Sequence, residues 1–371
     1  MERYKLGDIC EIVSGSTPKT SIEEYWDGDV KWITPAELDN DSYIITDTVR
    51  KITELAVRKS GLSSFPEGTV ILSSRAPIGK VAIAGCEMYC NQGFKNLICS
   101  EKINNKYLYW FLKGNTEFLN SLGRGATFKE ISKQIVANIE INVPDYESQI
   151  NIVKHLEKIN KIIKLRTQEL EKLDELIKAR FVELFGDINI NDKNWDCEPL
   201  GELCTIVRGG SPRPIEQFLG GDVPWIKIGD ATDGDNTYLR STKEHIIQEG
   251  VKKSRLVKAG SLIFANCGVS LGFARIITFD GCIHDGWLAM EDIDERLDKV
   301  FLLQALNQMT EHFRAIAPAG TQPNLNTTIM KAYKQVIPPI ELQKEYIRFT
   351  GQVNKSKVAT INTGRYGTKG R

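Results

Sequence analysis

The sequence predicts an α+β protein made of two similar domains in tandem, separated by long helices that form an antiparallel coiled coil. Three observations predict this architecture. The chain repeats itself at a nearly constant offset, each repeat mixes strand and helix patterns, and a heptad pattern follows the first repeat. The length of 371 residues, with 41% hydrophobic and 26% charged residues, suits two globular domains of ordinary size.

The internal repeat is carried by short motifs that recur in the same order. Residues 6–13 return as 200–207, 15–19 as 209–213, 28–33 as 221–226, 57–60 as 251–254 and 92–94 as 285–287. The offset stays near 194 residues, whereas a solenoid repeat has a period of about 20–50 residues. The chain therefore contains two whole domains of similar fold. We expect such a protein to bind two similar targets, or one target with two similar parts.

Each repeat mixes strands and helices without a regular βαβ alternation. Apolar runs predict strands at 70–72, 81–83, 261–264 and 273–277, and longer apolar runs predict buried helices at 107–112 and 300–306. Polar loops join them at 73–80, 123–127 and 320–326. This order favours the α+β class over a parallel α/β sheet.

A long amphipathic helix is predicted between the repeats, because residues 145–185 contain neither proline nor glycine. Its heptad seam consists of Ile152, Leu156, Ile159, Ile163, Arg166, Leu170, Leu173, Ile177, Arg180 and Leu184. Eight of these ten positions are apolar, which is typical of a coiled-coil helix, and Gly186 is expected to end it. A second helix after Pro339, carrying Tyr346, Phe349 and Val353, is the expected partner.

The seam also predicts a surface for other subunits. Its candidate docking residues are Ile163, Arg166, Leu170, Leu173, Ile177 and Arg180. The two arginines are polar register markers or subunit contacts on one interpretation, and side chains that reach from the seam edge to solvent on the other.

Charge, cysteine usage and hydropathy narrow the class of protein. Forty-eight basic residues balance 48 acidic ones, so the chain lacks the strongly basic composition of a generic nucleic-acid binder. The eight cysteines are scattered, and Cys86 and Cys90 form only one spaced pair, which predicts no metal site. The sequence shows no signal-peptide pattern and no apolar run long enough to span a membrane, and we expect a cytoplasmic, reduced protein.

Catalytic motifs are absent from the sequence. Gly79-Lys80 lacks the glycine of a phosphate-binding loop, and the four histidines show no metal-ligand spacing. His284-Asp285 could be an acid–base pair, but the first repeat has Asn91-Gln92 at that place. A duplicated enzyme is expected to repeat its chemistry, so the sequence predicts a non-catalytic protein.

Taken together, these motifs resemble the specificity subunit of type I restriction–modification systems. The similarity covers nearly the whole chain, to about residue 361. The matching motifs are the Leu-Gly-Asp opening with residues 15–18, the 28–33 run, the 73–79 loop, the 91–94 turn, the 320–325 loop and a Pro-x-x-x-x-Gln helix entry after each domain. Each motif is weak alone, and their order, twice over, is specific.

The resemblance implies that each repeat is a target recognition domain that reads one half of a split double-stranded DNA sequence. It also implies that the helices set the spacing between the two domains and dock methyltransferase subunits. Such a subunit performs no chemistry itself. Its partners are methyltransferase subunits, which modify adenine with S-adenosylmethionine, and restriction or translocase subunits, which use ATP and Mg²⁺ to translocate and cleave DNA.

The predicted boundaries follow from the repeat and the helices. They are 1–145 for the first target recognition domain, 146–194 for the central helix and linker, 195–339 for the second domain, 340–361 for a shortened distal helix and 362–371 for a basic flexible tail. The distal helix is expected to be shorter than the central one. A truncated or rearranged allele would explain this, and it puts docking of a second methyltransferase subunit in doubt.

Polar loop residues at matching places are the candidate DNA contacts, because arginine, glutamine and asparagine suit base edges. They are Ser73, Ser74, Arg75, Lys80, Arg124, Thr127 and Lys129 in the first repeat, and Asn266, Arg275, Gln322 and Asn324 in the second. The alternative is that each of them only satisfies the backbone of its own turn. Two other classes of function remain open, a tandem module that binds protein or glycan and a stand-alone DNA methyltransferase or nuclease.

Overall fold

The computed structural model describes residues 1–75, 77–125, 129–232, 236–268, 270–318 and 323–365. The chain divides into two compact units, residues 1–164 and 165–371. Both combine several small sheets with short helices, so the predicted α+β class with two tandem domains is confirmed. No helix in the described ranges is long and apolar enough to span a membrane.

The first unit contains ten described strands and five short helices ahead of the long helix. The strands are β1 Glu2–Lys5, β2 Cys10–Ser14, β3 Trp26–Ile33, β4 Ile44–Ile45, β5 Lys51–Ile52, β6 Val70–Leu72, β7 Val81–Ala84, β8 Tyr89–Cys90, β9 Lys95–Cys99 and β10 Glu140–Val143. The helices are α1 Leu6–Ile9, α2 Glu54–Ser60, α3 Asn105–Gly114, α4 Thr116–Ser121 and α5 Lys133–Ala137, followed by α6 Tyr146–Phe185.

The second unit repeats this order after the end of α6, with one additional strand, β16. Its strands are β11 Asp196–Pro199, β12 Thr205–Arg208, β13 Leu219–Ile226, β14 Tyr238–Leu239, β15 Glu244–Ile246, β16 Arg255–Val257, β17 Leu262–Ala265, β18 Ala274–Ile277, β19 Gly281–Ile283, β20 Trp287–Glu291 and β21 Lys334–Ile337. Its helices are α7 Leu200–Leu203, α8 Gln248–Val251, α9 Lys299–Gln308, α10 Thr310–Ile316, α11 Thr327–Ala332 and α12 Ile340–Arg365.

The central sheets of the two units have the same topology. The first is ordered β2-β9-β6-β7-β4 and the second β12-β20-β17-β18-β14, so equivalent strands pair in equivalent order. The predicted strands in both repeats and the helices predicted at 107–112 and 300–306 are confirmed within β6, β7, β17, β18, α3 and α9. Apolar side chains from these strands and helices form the core of each unit.

Each repeat begins and ends in one two-stranded antiparallel sheet. Strand β1 pairs with β10 in the first repeat, and β11 pairs with β21 in the second. The two ends of a repeat therefore lie side by side, which makes each repeat a closed module ahead of its long helix.

A buried glutamine explains the motif at the start of each long helix. Gln149 Nε2 donates to the carbonyl of Pro144 at 3.0 Å, and its Oε1 accepts from the Asn104 N–H at 2.8 Å. Gln343 makes the same two bonds, to the Pro338 carbonyl at 2.7 Å and from the Asp298 N–H at 2.8 Å. Because a buried amide must be satisfied, the glutamine fixes each helix to the loop ahead of α3 or α9.

The helix bounds match the heptad prediction at one helix and differ from it at the other. Helix α6 spans 40 residues and stops before Gly186, whose φ of +75° is the left-handed conformation that favours glycine. Helix α12 runs to Arg365, whereas the predicted bound of the distal helix is residue 361. A single glycine near the end of a helix lowers helix stability by only about 1 kcal/mol relative to alanine. This loss is too small to end α12 earlier. The other part of the predicted tail, 366–371, lies outside the described residues.

Candidate nucleic-acid interface

Four segments of the first repeat converge at one place in the first unit, and we name them the first loop cluster: residues 15–17, 73–75, 91–93 and 129–131. The Ser74 N–H donates to the Gly93 carbonyl at 2.7 Å, and the Ile131 N–H donates to the Ser74 carbonyl at 2.9 Å. The Thr17 hydroxyl donates to the side chain of Gln92. Backbone bonds therefore hold the predicted loop at 73–80 against the segments around Gly93 and Ile131.

The second unit contains the equivalent second loop cluster: residues 209–213, 266–268, 284–286 and 323–325. The Asn266 N–H donates to the Gly286 carbonyl at 2.9 Å, and the Leu325 N–H donates to the Asn266 carbonyl at 2.8 Å. The Ser211 hydroxyl donates to Asp285 Oδ1 at 2.8 Å. These bonds match those of the first cluster one for one, so both repeats build the same scaffold.

Glycine at positions 15 and 209 permits this convergence. A Cβ at Gly15 would lie 2.1 Å from the Cys90 carbonyl oxygen, and one at Gly209 would lie 2.2 Å from the His284 carbonyl oxygen. Both distances are far below van der Waals contact, so no other residue fits there. The repeated glycine motifs therefore reflect close packing of the first segment on the third.

The predicted DNA contacts in the first repeat fall into two groups. Ser73 and Ser74 are fully buried, and the Ser73 hydroxyl donates to the Pro77 carbonyl at 2.8 Å. Lys80 donates from Nζ to the carbonyls of Pro35 and Leu38, so these three side chains hold loops together. The exposed members are Arg75, Arg124 and Lys129. Thr127 lies outside the described residues.

Burial also separates the predicted contacts of the second repeat. Asn266 is fully buried, and its Nδ2 donates to the Leu325 carbonyl at 3.2 Å. Arg275 lies in β18 rather than in the loop cluster, is 7% exposed, and donates to the Ala274 carbonyl at 2.8 Å. Asn324 is half-buried within the cluster, and Gln322 lies outside the described residues. The burial of Asn266 and Arg275, like that of the two serines, argues for a structural role, and base contact by the exposed residues stays a prediction.

Three polar residues that are not among the predicted DNA contacts lie within the loop clusters. Arg213 and Asp285 in the second cluster, and Glu130 in the first, are polar and accessible to solvent. The repeated motifs at 15–19 and 92–94 were a usable signal, because each recurs where the structure brings its segment into a cluster.

The carboxylate of the first cluster, Glu130, is paired with two cations. Glu130 accepts from Arg75 Nε at 2.9 Å and from Lys95 Nζ at 3.2 Å. Partial burial acts to raise the pKa of Glu130, but the two cations outweigh it and hold that pKa below its ordinary value. The carboxylate therefore stays ionised at neutral pH.

The second cluster is organised around Asp285. Its Oδ1 lies 2.9 Å from His284 Nε2, and His284 Nδ1 accepts the Gly286 N–H at 2.9 Å. These contacts assign the neutral tautomer with the proton on Nε2. Burial lowers the pKa of His284, and the nearby cations Lys227 and Arg213 lower it further against the attraction of Asp285.

The two long helices pack antiparallel within the second unit. Arg180 of α6 pairs with Glu345 of α12, whereas Asp174 pairs with Lys357. Residues that come earlier in α6 therefore lie beside residues that come later in α12, as the predicted antiparallel coiled coil requires. Phe181, Phe185 and Tyr346 are buried together at the base of this pair.

The predicted docking residues divide along α6. Leu170, Leu173, Ile177 and Arg180 are half-buried; Leu170 and Ile177 line a cavity of about 880 Å³ together with Gly351 and Asn354 of α12. Ile163, by contrast, is 58% exposed. Arg166 is exposed and pairs with Glu169 on the same helix. Part of the seam is thus covered by the chain itself, and the stretch around Ile163 faces solvent.

Comparison with known proteins agrees with this architecture. The sequence family described as "Type I restriction modification DNA specificity domain" matches residues 1–175 and again 192–365. The chain is 34% identical over 293 residues to the type I restriction enzyme MjaIX specificity subunit of Methanocaldococcus jannaschii, which covers 73% of this chain and 67% of that protein. A second relative from the same organism, the MjaVIII specificity subunit, is 22% identical over 369 residues. The aligned region covers 92% of this chain and 83% of that protein.

Solved structures show the same fold. A chain from a structure of a type I R-M system superposes with a TM-score of 0.65 at 18% identity, covering 98% of this chain and 94% of its own. The S subunit of a type I restriction-modification system from M. genitalium superposes with a TM-score of 0.56 at 15% identity, covering 98% and 92%. The chain is a tandem DNA specificity protein. It belongs to the type I restriction–modification specificity subunit family.

Proposed function

We propose that this chain reads a bipartite DNA site for a type I restriction–modification complex, with one loop cluster reading each half. The observation that supports this most directly is the repeated cluster: the same four segments meet in both units on matching backbone bonds, yet expose different side chains. A shared scaffold with different exposed residues suits the reading of two different half-sites, because direct readout depends on a few side chains.

The charge of the chain limits how much of the binding it supplies. With equal numbers of basic and acidic residues, it has few cations to spare for phosphate contacts, which dominate affinity for DNA. The exposed arginines in the clusters are Arg75 and Arg213, and the exposed Arg208 directly precedes the second cluster. We infer that these arginines serve base reading, and that partner subunits supply most of the phosphate contacts.

The partners in this proposal are methyltransferase subunits, together with restriction or translocase subunits in the complete enzyme. The exposed stretch of α6 offers a docking surface, because Ile159, Ile162 and Ile163 are each about half exposed. Three isoleucines on neighbouring turns form an apolar patch that a partner helix would bury.

Expression of the chain with an adenine methyltransferase subunit tests the reading role. Sequencing that detects N6-methyladenine should reveal one bipartite motif, two short blocks with a gap of fixed length. A chain with Arg75→Ala and Arg213→Ala should blur both blocks. Methylation without any sequence preference in the wild-type complex would refute the proposal.

The proposal assigns the cofactors S-adenosylmethionine, ATP and Mg²⁺ to the partner subunits. Equilibrium dialysis of the isolated chain with labelled S-adenosylmethionine should detect no binding, while the assembled methyltransferase should bind it. Tight binding by the isolated chain would favour the alternative of a stand-alone methyltransferase.

A further inference from the structure

The two loop clusters differ in where their carboxylate lies. Arg75 and Glu130 bridge by backbone bonds in the first cluster, and Cys267 and Asn324 do so in the second, so Glu130 corresponds to Asn324. Thr17 bonds to Gln92 where Ser211 bonds to Asp285, so Asp285 corresponds to Gln92. Each cluster thus keeps one carboxylate, at a place where the other has a neutral amide.

The first carboxylate is held from the protein side and meets an arginine on the solvent side. The Lys95 side chain is 9% exposed and holds Glu130 Oε1 from the interior of the unit. Lys95 Nζ also lies 3.3 Å from Ser74 Oγ. Arg75 is 45% exposed and donates from Nε to Glu130 Oε2 at 2.9 Å. In the described part of the chain, the terminal nitrogens of Arg75 make no hydrogen bond, so the end of its guanidinium is available to a ligand.

The second carboxylate is also held from the protein side, but its contact with an arginine is longer and runs through a terminal guanidinium nitrogen. Ser211 and His284 bind Asp285 Oδ1 at 2.8 and 2.9 Å. Its other oxygen lies 3.5 Å from Nη2 of Arg213, whose side chain is 80% exposed. Arg208 adds a hydrogen bond from Nε to the backbone carbonyl of Asp285 at 3.0 Å.

A carboxylate on a surface that meets DNA is repelled by the phosphates. Its presence in both clusters therefore calls for a compensating gain. An exposed arginine loses side-chain freedom when it binds, and a guanidinium already held by a carboxylate has less to lose.

We propose that Glu130 and Asp285 are positioning residues that hold Arg75 and Arg213 for reading a guanine in the first and second half-site, respectively. Arginine donates two hydrogen bonds to O6 and N7 of guanine, which requires a guanidinium held in a fixed plane. This inference rests on the proposed function and adds the residues and the base that each cluster reads.

The test uses the full chain assembled with its methyltransferase subunits, and reads the methylated motif by sequencing. Glu130→Gln should lower the preference for guanine at one position of the first half-site about tenfold, the discrimination of one good bidentate pair, and should leave the second half unchanged. Asp285→Asn should do the same in the second half-site only. Glu130→Asp keeps the charge and should restore part of the preference.

Two carboxylates elsewhere in the same units serve as matched controls. Glu140 pairs with Arg3 in the first repeat, and Glu198 pairs with Arg296 in the second, and both pairs lie outside the loop clusters. Glu140→Gln and Glu198→Gln should keep the wild-type motif. A substitution that only lowered the stability of the chain would reduce methylation at every recognised site. It would not change the preference for guanine at a single position.

The outcomes separate this inference from the function on which it rests. If Arg75→Ala relaxes the first half-site but Glu130→Gln does not, the cluster reads DNA and the positioning role is wrong. If Glu130→Gln relaxes it and Arg75→Ala does not, the carboxylate itself reads the base, which also overturns positioning. If none of the substitutions at Arg75, Glu130, Arg213 and Asp285 alters the sequence preference in either half-site, the clusters do not read DNA at all.

A double variant covers the case in which a single change weakens folding. Under the proposal, Glu130→Gln adds no further loss of guanine preference once Arg75 is alanine, because the carboxylate acts only through that arginine. A preference that falls again by a similar factor in the double variant would overturn the inference.

Discussion

At the residue scale, the approach of the loop segments depends on the absence of a side chain at position 15. Because a Cβ there would overlap the Cys90 carbonyl, Gly15→Ala must push the segments apart. We expect the free energy of unfolding of the first unit to fall by about 1–3 kcal/mol, as for other overpacking changes. Urea denaturation would measure it.

Gly114 is the matched control for that change. It lies at the end of α3 in the same unit, and a Cβ there would meet no atom within 4 Å, so Gly114→Ala should keep stability or raise it by up to about 1 kcal/mol. Equal stability of the two alanine variants would contradict the packing argument.

His284 gives the stability of the second unit a pH dependence. Because its pKa in the folded chain lies below the ordinary value of 6.5, the unfolded chain takes up a proton first as the pH falls. The stability contributed by neutral His284 is present above about pH 6.5 and is lost as the pH falls through the lowered pKa. Unfolding measured at pH 7.5 and 5.5 should show this loss.

The variant His284→Asn removes the titrating group and introduces the residue found at the equivalent position, Asn91, in the first repeat. The variant should lose less stability than the wild type between the two pH values. Identical losses would mean that the proton taken up on unfolding belongs to another group.

At the element scale, one stretch of the α6 seam is exposed to solvent. Ile159 and Ile163 are 53% and 58% exposed, and they lie four residues apart on one face of the helix. Changing both to serine should weaken binding of the methyltransferase subunit on the order of a hundredfold, since burial of each isoleucine contributes at least about 1.5 kcal/mol. Titration calorimetry with the partner would measure the loss.

Val182 provides the control on the same helix. It is 54% exposed, but it lies about 100° around the helix axis from Ile163 at 3.6 residues per turn. Val182→Ser should bind the partner as the wild type does. If it weakens binding as much as the double change, the docking surface is not the exposed seam.

Periodicity predicted the length of α6 but not what covers it. The heptad pattern and Gly186 fixed its end because helix continuation and helix termination are local properties. Which part of the seam α12 covers depends on tertiary packing, so Leu170 and Ile163 were indistinguishable in the sequence although the structure half-buries one and exposes the other.

The candidate interface shows the same limit. The loops were found from their polar composition and their repetition, but composition does not reveal which side chains point inward. Ser73 and Asn266 are buried because loop carbonyls and amides need hydrogen-bond partners. Glu130 and Asp285 were not among the candidate DNA contacts because an acidic residue is an unexpected choice at a DNA-binding surface, and only its ion pairs explain it.

At the scale of the whole molecule, each repeat is an exchangeable module, because its two ends pair in one small sheet. In the second repeat β11 begins at Asp196 and β21 ends at Ile337, so the segment 195–339 enters and leaves the fold at neighbouring points. A homologous segment can replace it without altering α6 or α12, provided that its own terminal strands pair in the same way.

The final prediction follows from that construction. Replacing residues 195–339 with the equivalent segment of a relative should change one half of the methylated sequence, and should leave the other half and the gap length unchanged. The reciprocal replacement of residues 1–145 should alter only the opposite half, which serves as the control. Because α6 is the same in both chimaeras, a change of gap length would show that the spacing is set within the repeats, and a change of both halves together would show that the two loop clusters do not read DNA independently.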